Sequence, residues 1–370
     1  MVDMVDNISV WRRFDYILFG ATIVLVVFGI LMIASATQDA IDPDLISRVP
    51  DQINFATISI FVTVILAFID YRLLGGISPW LYAVMIILLA MVLFFGVEGD
   101  GGAQRWLNLG IRIQPSEIGK IILIITLSQH LAERYQNLDK LSAVFRSLAH
   151  VAVPAALIFI QPDLGTTIVF LVIWAVLVWS AGFRLRHIAL LGTVALLLLP
   201  IAFTQLEPYQ VSRITTFINP ESDPDAFFNI RQALISIGSG GPFGKGYGVG
   251  SQNTGRFLRV RHTDFIFSVI AHEFGMAGGV TVLGLITLIL MRILRGARQA
   301  SDALGSMICY GVAGMIFFQT VVSVGMNLAL LPVTGLTLPF VSSGGTSLLF
   351  TMVGVGLVQS VIVRRRRTEF

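Results

Sequence analysis

The sequence predicts an all-α polytopic membrane protein: about ten transmembrane helices, both termini cytoplasmic, and a large extracytoplasmic loop between helices 7 and 8. Three observations predict it. Hydrophobic residues make up 55% of the 370-residue chain and charged residues only 13%, with a mean hydropathy of +0.82. No single soluble core could hide that much apolar surface. Apolar runs fall near 16–36, 53–69, 79–97, 117–132, 148–160, 164–181, 188–206, 265–291, 304–331 and 346–363, and a ~30 Å hydrocarbon core asks for spans of roughly 20 residues. With both ends inside, fifteen basic residues flank the spans on the inner side, against four around the short outer loops, as the positive-inside rule requires.

The first run ends in Ala34-Ser35-Ala36, a pattern a signal peptidase could cut, yet it is about twice the length of a signal-peptide core. It reads as an uncleaved first helix. The remaining six basic residues lie in the long segment 207–263, where the rule binds weakly and the charge of a ligand is the natural explanation. Arginine outnumbers lysine 22 to 3, favouring forked, permanently charged contacts to phosphate. The run Arg364 to Arg367 reads as a topology anchor on an anionic leaflet. Cys309 is the lone cysteine, so disulfides and cysteine-held metals within one chain are excluded. No internal repeat is visible, which weighs against transporter folds of inverted halves. Residues 1–370 read as one domain with an extracytoplasmic loop at about 207–263.

Polarity concentrates on the outer side in three places. In segment 101–120, GGAQRWLNLGIRIQPSEIGK, Gly101 and Gly102 permit a turn, Trp106 suits an interfacial belt, and Pro115 suits a first helical turn that Ser116 could cap. Glu117 and Lys120 share one helix face at i, i+3, either as a structural ion pair or as the lining of a polar cavity. In QPDLGT, 161–166, Asp163 fits a turn or cap as well as a functional role. The third place is the long loop, with seven glycines between 238 and 250, too many for a regular element. A nucleotide site is not expected there, because Ser239 and Gly246 break the Walker pattern around Gly244-Lys245. His272-Glu273 is likewise no zinc motif, since Met276 stands where HExxH needs its second histidine.

Asp264 follows His262 and Thr263 at the edge of the apolar run FIFSVI. An acid at that depth is costly, which points to function, while its place just before a helix also suits an N-cap. The residues alone leave both readings open.

The strings GAQRWLNLG, IQPSE..K, QPDLGT, GSGGPFGKG, RHTDFIFSVIA, MNLALLPVTGLTLPF and SSGGTSL occur in that order between residues 102 and 348. Together they resemble the SEDS family of shape, elongation, division and sporulation proteins, and GKG at 244–246 looks more like the elongation member than the division member. The resemblance implies a ten-helix fold and a peptidoglycan glycosyltransferase acting on lipid II, an undecaprenyl-pyrophosphoryl disaccharide-pentapeptide. It places the chemistry on the outer face of the bacterial cytoplasmic membrane, with a class B penicillin-binding protein and the elongation complex as partners and no nucleic acid. The family's catalytic aspartate falls on Asp264, the expected general base.

Arg105, Lys120, Arg213, Arg231 and Lys245 are candidate cations against the pyrophosphate, with a divalent Mg or Mn ion as an expected aid. Glu117, Asp163, His262, Thr263, Ser342, Ser343 and Gly345 match family motifs and are expected to line the site. The chain departs from the family pattern at Arg259-Val260, at His272, at Ser343 and at Phe227-Phe228. Two rivals stand beside the polymerase: a lipid II flippase, which would need polar groups reaching the cytoplasmic half, and a non-catalytic scaffold for the penicillin-binding protein. A division role is the alternative to elongation.

Overall fold

The computed structural model describes residues 11–38, 43–98, 104–108, 110, 112–134, 141–183, 189, 192–193, 204, 206–249 and 262–365. The run at 188–206 falls largely outside them, as do Gly101, Gly102, Arg259, Val260 and Arg261. The other nine runs are helices: α1 Tyr16–Ala36, α2 Arg48–Phe68, α3 Ser78–Phe95, α4 Pro115–Ala132, α5 Leu141–Ile160 and α6 Leu164–Ser180, then, after two helices of the long loop, α9 Ile266–Gln299, α10 Ala303–Asn327 and α11 Gly345–Val363. Among the described residues seven helices are long and apolar enough to span a membrane, and α6 is a shorter apolar one. Side chains such as Trp80 and Phe94, 76% and 79% exposed, point away from the bundle. Apolar surface of that kind is stable where the surrounding solvent is hydrocarbon.

Helix α4 is the centre of the bundle. Only four of its eighteen residues escape burial, because α3, α5, α6, α10 and α11 all pack on it. The start of α1 and the end of α11 meet at one end of the bundle. Asp15 caps α1 by accepting from the Leu18 N–H at 3.0 Å, and its carboxylate takes two bonds from Arg292 of α9, at 2.8 and 2.6 Å. Gln359 of α11 clasps the Asp15 backbone on both sides, accepting from its N–H at 3.0 Å and donating to its carbonyl at 2.9 Å. The starts of α4, α6, α9 and α11 and the end of α10 gather at the opposite end.

Four features depart from the sequence expectation. The stretch before α4 is not only loop: β1 Val97–Glu98, β2 Gln104–Asn108 and β3 Arg112–Ile113 form a small antiparallel sheet, pairing Val97 with Trp106 and Leu107 with Ile113. Pro115 does open α4, but the N-cap is Gln114 and Ser116 does not cap. The long loop holds two helices, α7 Pro208–Ile218 and α8 Pro224–Gly240, so the first two of its glycines extend a helix instead of preventing one.

The fourth departure is a break inside α9. At Gly275 the backbone turns to φ 66°, ψ −160°, a conformation only glycine adopts readily. The interruption frees backbone groups that must find partners, and the segment after α8 supplies them. The N–H groups of Lys245 and Gly246 donate to the His272 and Glu273 carbonyls at 3.0 Å each, while Met276 and Ala277 donate to the Gly241 and Pro242 carbonyls at 2.9 and 3.1 Å. This is why the loop is rich in glycine: a Cβ at Gly240 or Gly244 would collide with the carbonyl of Ala271 or Glu273.

Gly244→Ala, at φ +83°, should therefore destabilise the fold by about 1–3 kcal/mol, read as a lower unfolding midpoint in detergent. Gly284→Ala, in open space, should leave the midpoint within error.

Candidate active site

Asp264 lies in the turn 262–265 that leads into α9. The N-cap position belongs to Phe265, which has no side chain able to cap, so the Asp264 carboxylate is not spent as the helix cap. The backbone of this turn is held at three successive carbonyls by two distant segments. Ser343 N–H donates to His262 O at 2.9 Å, Ser342 Oγ to Thr263 O at 2.8 Å, and Asn327 Nδ2 to Asp264 O at 2.8 Å. With every carbonyl of His-Thr-Asp tied inward, the Asp264 side chain is the part left for chemistry.

Burial pushes the Asp264 carboxyl above its ordinary range; Arg213, a hydrogen bond with Thr263, and Arg105 pull it back in part. A carboxylate so balanced holds a proton more readily than an exposed one while remaining beside cations. Arg213 of α7 donates to Val333 O at 3.3 Å and lies over the Tyr209 ring, 5.6 Å from its centroid. A side chain at Gly335 would stand 3.8 Å from Arg213 Nη1 and 3.9 Å from Asp264 Oδ2. The guanidinium and the carboxylate thus face the same small space, which this glycine, at φ +75°, leaves open. The adjoining cleft is lined by Arg105, Leu164, Gly165, Tyr209, Gln210, Arg213, Ile214, Pro332, Val333 and Thr334.

Arg105 joins three elements. It donates to Pro162 O and, at 2.7 Å, to Tyr209 Oη, and it stands 3.9 Å from Asp163. Asp163 turns out to be both cap and partner. It caps α6 through Thr166 N–H and Oγ at 3.1 and 2.9 Å, and accepts from Gln114 Nε2 at 3.1 Å. Sheet, α6 and α7 are locked together around the cleft by this one cluster.

Glu117 and Lys120 form an ion pair at 2.7 Å with both side chains almost wholly buried. That geometry takes Lys120 out of the set of exposed phosphate ligands and makes the pair a brace inside the bundle. Arg231 and Lys245 are not brought to the cleft either. Arg231 is exposed on α8, and Lys245 is exposed at the Gly275 break, eleven residues on from Asp264, or about 16 Å at the rise of a helix. Ser342, Ser343 and Gly345 act on the backbone: the two serines hold the turn as described, Ser342 Oγ also accepts from Leu338 N–H at 2.9 Å, and Gly345 lets the Phe55 ring press onto the start of α11. His272 of α9 faces α8, its Nδ1 2.9 Å from Ser239 Oγ and 3.2 Å from Ser236 O.

Sequence reasoning missed Asn327, Tyr209, Gln114 and Gln52. Gln52 accepts from Gly344 N–H at 3.2 Å and is, like Asn327, a buried amide; it stands just ahead of the run at 53–69, and Asn327 inside that at 304–331. The cost of a buried amide without a partner was the signal available for both.

The model of the family described as cell cycle protein, covering FtsW, RodA and SpoVE, matches residues 15–367. The chain belongs to this family, the SEDS proteins. Peptidoglycan glycosyltransferase MrdB of Escherichia coli is 35% identical over 370 residues, covering 98% of each chain. Among solved structures, the rod shape determining protein RodA of Thermus thermophilus shares 31% identity at a TM-score of 0.71, covering 96% of this chain and 99% of that one. A chain from a peptidoglycan synthase complex, described as coordinating polymerization and crosslinking, shares 32% identity at a TM-score of 0.80, covering 94% and 97%.

In this SEDS chain, Lys120→Ala should strand a buried carboxylate and cost about 3–5 kcal/mol, seen as a large fall in the thermal midpoint. The double change Glu117→Gln with Lys120→Met should recover most of that loss.

Proposed function

We propose that this chain is a peptidoglycan glycosyltransferase that polymerises lipid II, with Asp264 as its general base. The observation that carries the reading is the Asp264 carboxylate, raised by burial and uncommitted to capping, facing the space it shares with Arg213 beside a cleft that Arg105 also lines. In the transfer, a sugar 4-hydroxyl of the acceptor attacks the anomeric carbon of the donor. Asp264 takes the hydroxyl proton, the new O–C bond forms with inversion, and the bond to the pyrophosphate breaks. The charge that develops on the leaving undecaprenyl pyrophosphate is opposed by Arg213 and Arg105, groups already oriented before reaction. The polyprenyl tail is accommodated in the surrounding lipid.

A protein-held divalent ion does not fit these residues. Asp264 has cationic neighbours, and among the described residues no group of three His, Cys, Asp or Glu could hold a metal.

The end of the bundle opposite Asp264 carries Arg72, Arg292 and Arg364, so the positive-inside rule turns the cleft to the extracytoplasmic face of the cytoplasmic membrane. A class B penicillin-binding protein is the partner this reading implies, supported by the likeness to a synthase complex. Elongation is the role favoured over division, on the GKG at 244–246 and the likeness to MrdB and RodA.

The test is glycan synthesis from labelled lipid II by purified protein, with and without the partner. Asp264→Ala should reduce polymerisation by roughly 10²–10⁴-fold, as loss of a general base does, in a protein that stays folded. Polymerisation undiminished by the substitution would take the role of base away from Asp264, and a wild type silent even with the partner would move the role to flippase or scaffold. The base must be ionised to act, so the rate should fall as pH drops through the raised pKa of Asp264. Removing Arg213 removes a group that lowers that pKa, so Arg213→Ala should move the acid limb of the pH–rate profile to higher pH and slow the reaction on the order of 10²-fold.

A further inference from the structure

Helix α9 begins without a cap of its own. Its N-cap residue is Phe265, and the N–H of Ser268, third in the helix, is one that an N-cap side-chain oxygen normally accepts from. The oxygen comes instead from another helix. Asn327, the last residue of α10, accepts from Ser268 N–H at 3.0 Å and from Ser268 Oγ at 2.7 Å. Its amide nitrogen donates to Asp264 O at 2.8 Å and to Ser323 O at 2.7 Å. All four bonds are made by a side chain with no exposed surface, so the amide has one satisfied orientation.

We propose that Asn327 is a positioning residue that caps α9 in place of Asp264, and so keeps the Asp264 carboxylate turned to the cleft. Aspartate one residue ahead of an uncapped helix is well suited to fold back onto the first free N–H groups. A carboxylate held that way would be bound to the protein's own backbone and not to an acceptor hydroxyl. Asn327 removes the incentive by filling the Ser268 site, and its nitrogen pins the Asp264 carbonyl at the same time. One side chain thus sets both the position of the residue and the freedom of its carboxylate. The inference goes beyond the polymerase reading and, for its catalytic consequence, rests on it.

Two measurements on the full-length protein keep the two claims apart. The first is an infrared titration of the Asp264 carboxyl in lipid nanodiscs, isolated as the difference from Asp264→Asn, for wild type and Asn327→Ala. The groups facing this carboxyl, Arg213 and Arg105, with Thr263 as hydrogen-bond partner and His262 two residues earlier in the turn, are unchanged by the substitution. In Asn327→Ala the Ser268 N–H keeps only its 3.1 Å bond to the Phe265 carbonyl; the carboxylate should fold back to take the place of the lost amide oxygen, which favours its charged form, and the titration midpoint should move to lower pH. A midpoint that stays in place overturns the proposal whether or not the protein polymerises lipid II.

The second measurement is steady-state polymerisation. Asn327→Ala should lower kcat by roughly 10- to 100-fold, the scale of a misplaced reacting group, with KM within about threefold and the acid limb shifted the same way. Asn327→Asp keeps the accepting oxygen and loses the donor, so its loss should be smaller. Equal kcat in wild type and Asn327→Ala would overturn the proposal. A silent wild type would count against the polymerase reading and leave the infrared result to decide the cap.

Discussion

The structure of the site depends on one constraint: the backbone of His262-Thr263-Asp264 is fixed from outside the helix it precedes. Three consecutive carbonyls are held by Ser343, Ser342 and Asn327. A hydrogen bond of this kind contributes only about 1 kcal/mol net, yet together the three fix the position of the turn. They join the start of α9 to the end of α10 and to the turn before α11, two segments that meet only because both pack, with α4, in the same bundle. A carboxylate on a free loop at this depth would wander or neutralise itself against backbone; here it has a fixed root.

The break in α9 is the second half of the same design. A continuous helix would carry Asp264 along a rigid rod through the bilayer. The interruption at Gly275, filled by the backbone of 241–246, turns residues Ile266 to Phe274 into a short half-helix clamped at both ends, by Asn327 at its start and by the glycine-rich segment at its finish. Backbone groups released in a nonpolar setting must be satisfied by protein, and the close approach that satisfies them is possible only without Cβ atoms at 240, 244 and 275. The charge of Lys245 then has no part in holding the loop; its backbone N–H does.

Much of this was legible in the sequence, and what was not has physical causes. Hydropathy located nine of the helices because an apolar run of span length has few other stable fates. The ordered motifs pointed to Asp264, but sequence could not decide between cap and functional acid, since that depends on a residue 63 positions away. Asn327 lies inside the motif MNLALLPVTGLTLPF, but nothing local marks it, because three of its four bonds reach Asp264 and Ser268. Basic residues were grouped by chemistry alone: Arg105 and Arg213 do converge on the cleft, whereas Lys120 is neutralised by Glu117 in the interior and Arg231 and Lys245 face elsewhere. Helices α7 and α8 were hidden by the glycines and prolines that begin and end them. Such residues signal loops by frequency, yet here they serve as a first turn at Pro208 and Pro224 and as a last turn at Gly240.

The central claim is that Asp264 meets the acceptor's hydroxyl in the cleft beside Arg213. It is tested most directly by determining the structure of Asp264→Asn in lipid nanodiscs with a lipid-linked disaccharide acceptor bound. The account predicts the acceptor 4-hydroxyl within hydrogen-bond reach, about 2.6–3.2 Å, of the side chain at 264, with the donor side of the sugar toward Arg213 and Arg105. An acceptor seated instead at the Gly275 break against Lys245, with the side chain at 264 out of contact, would contradict it.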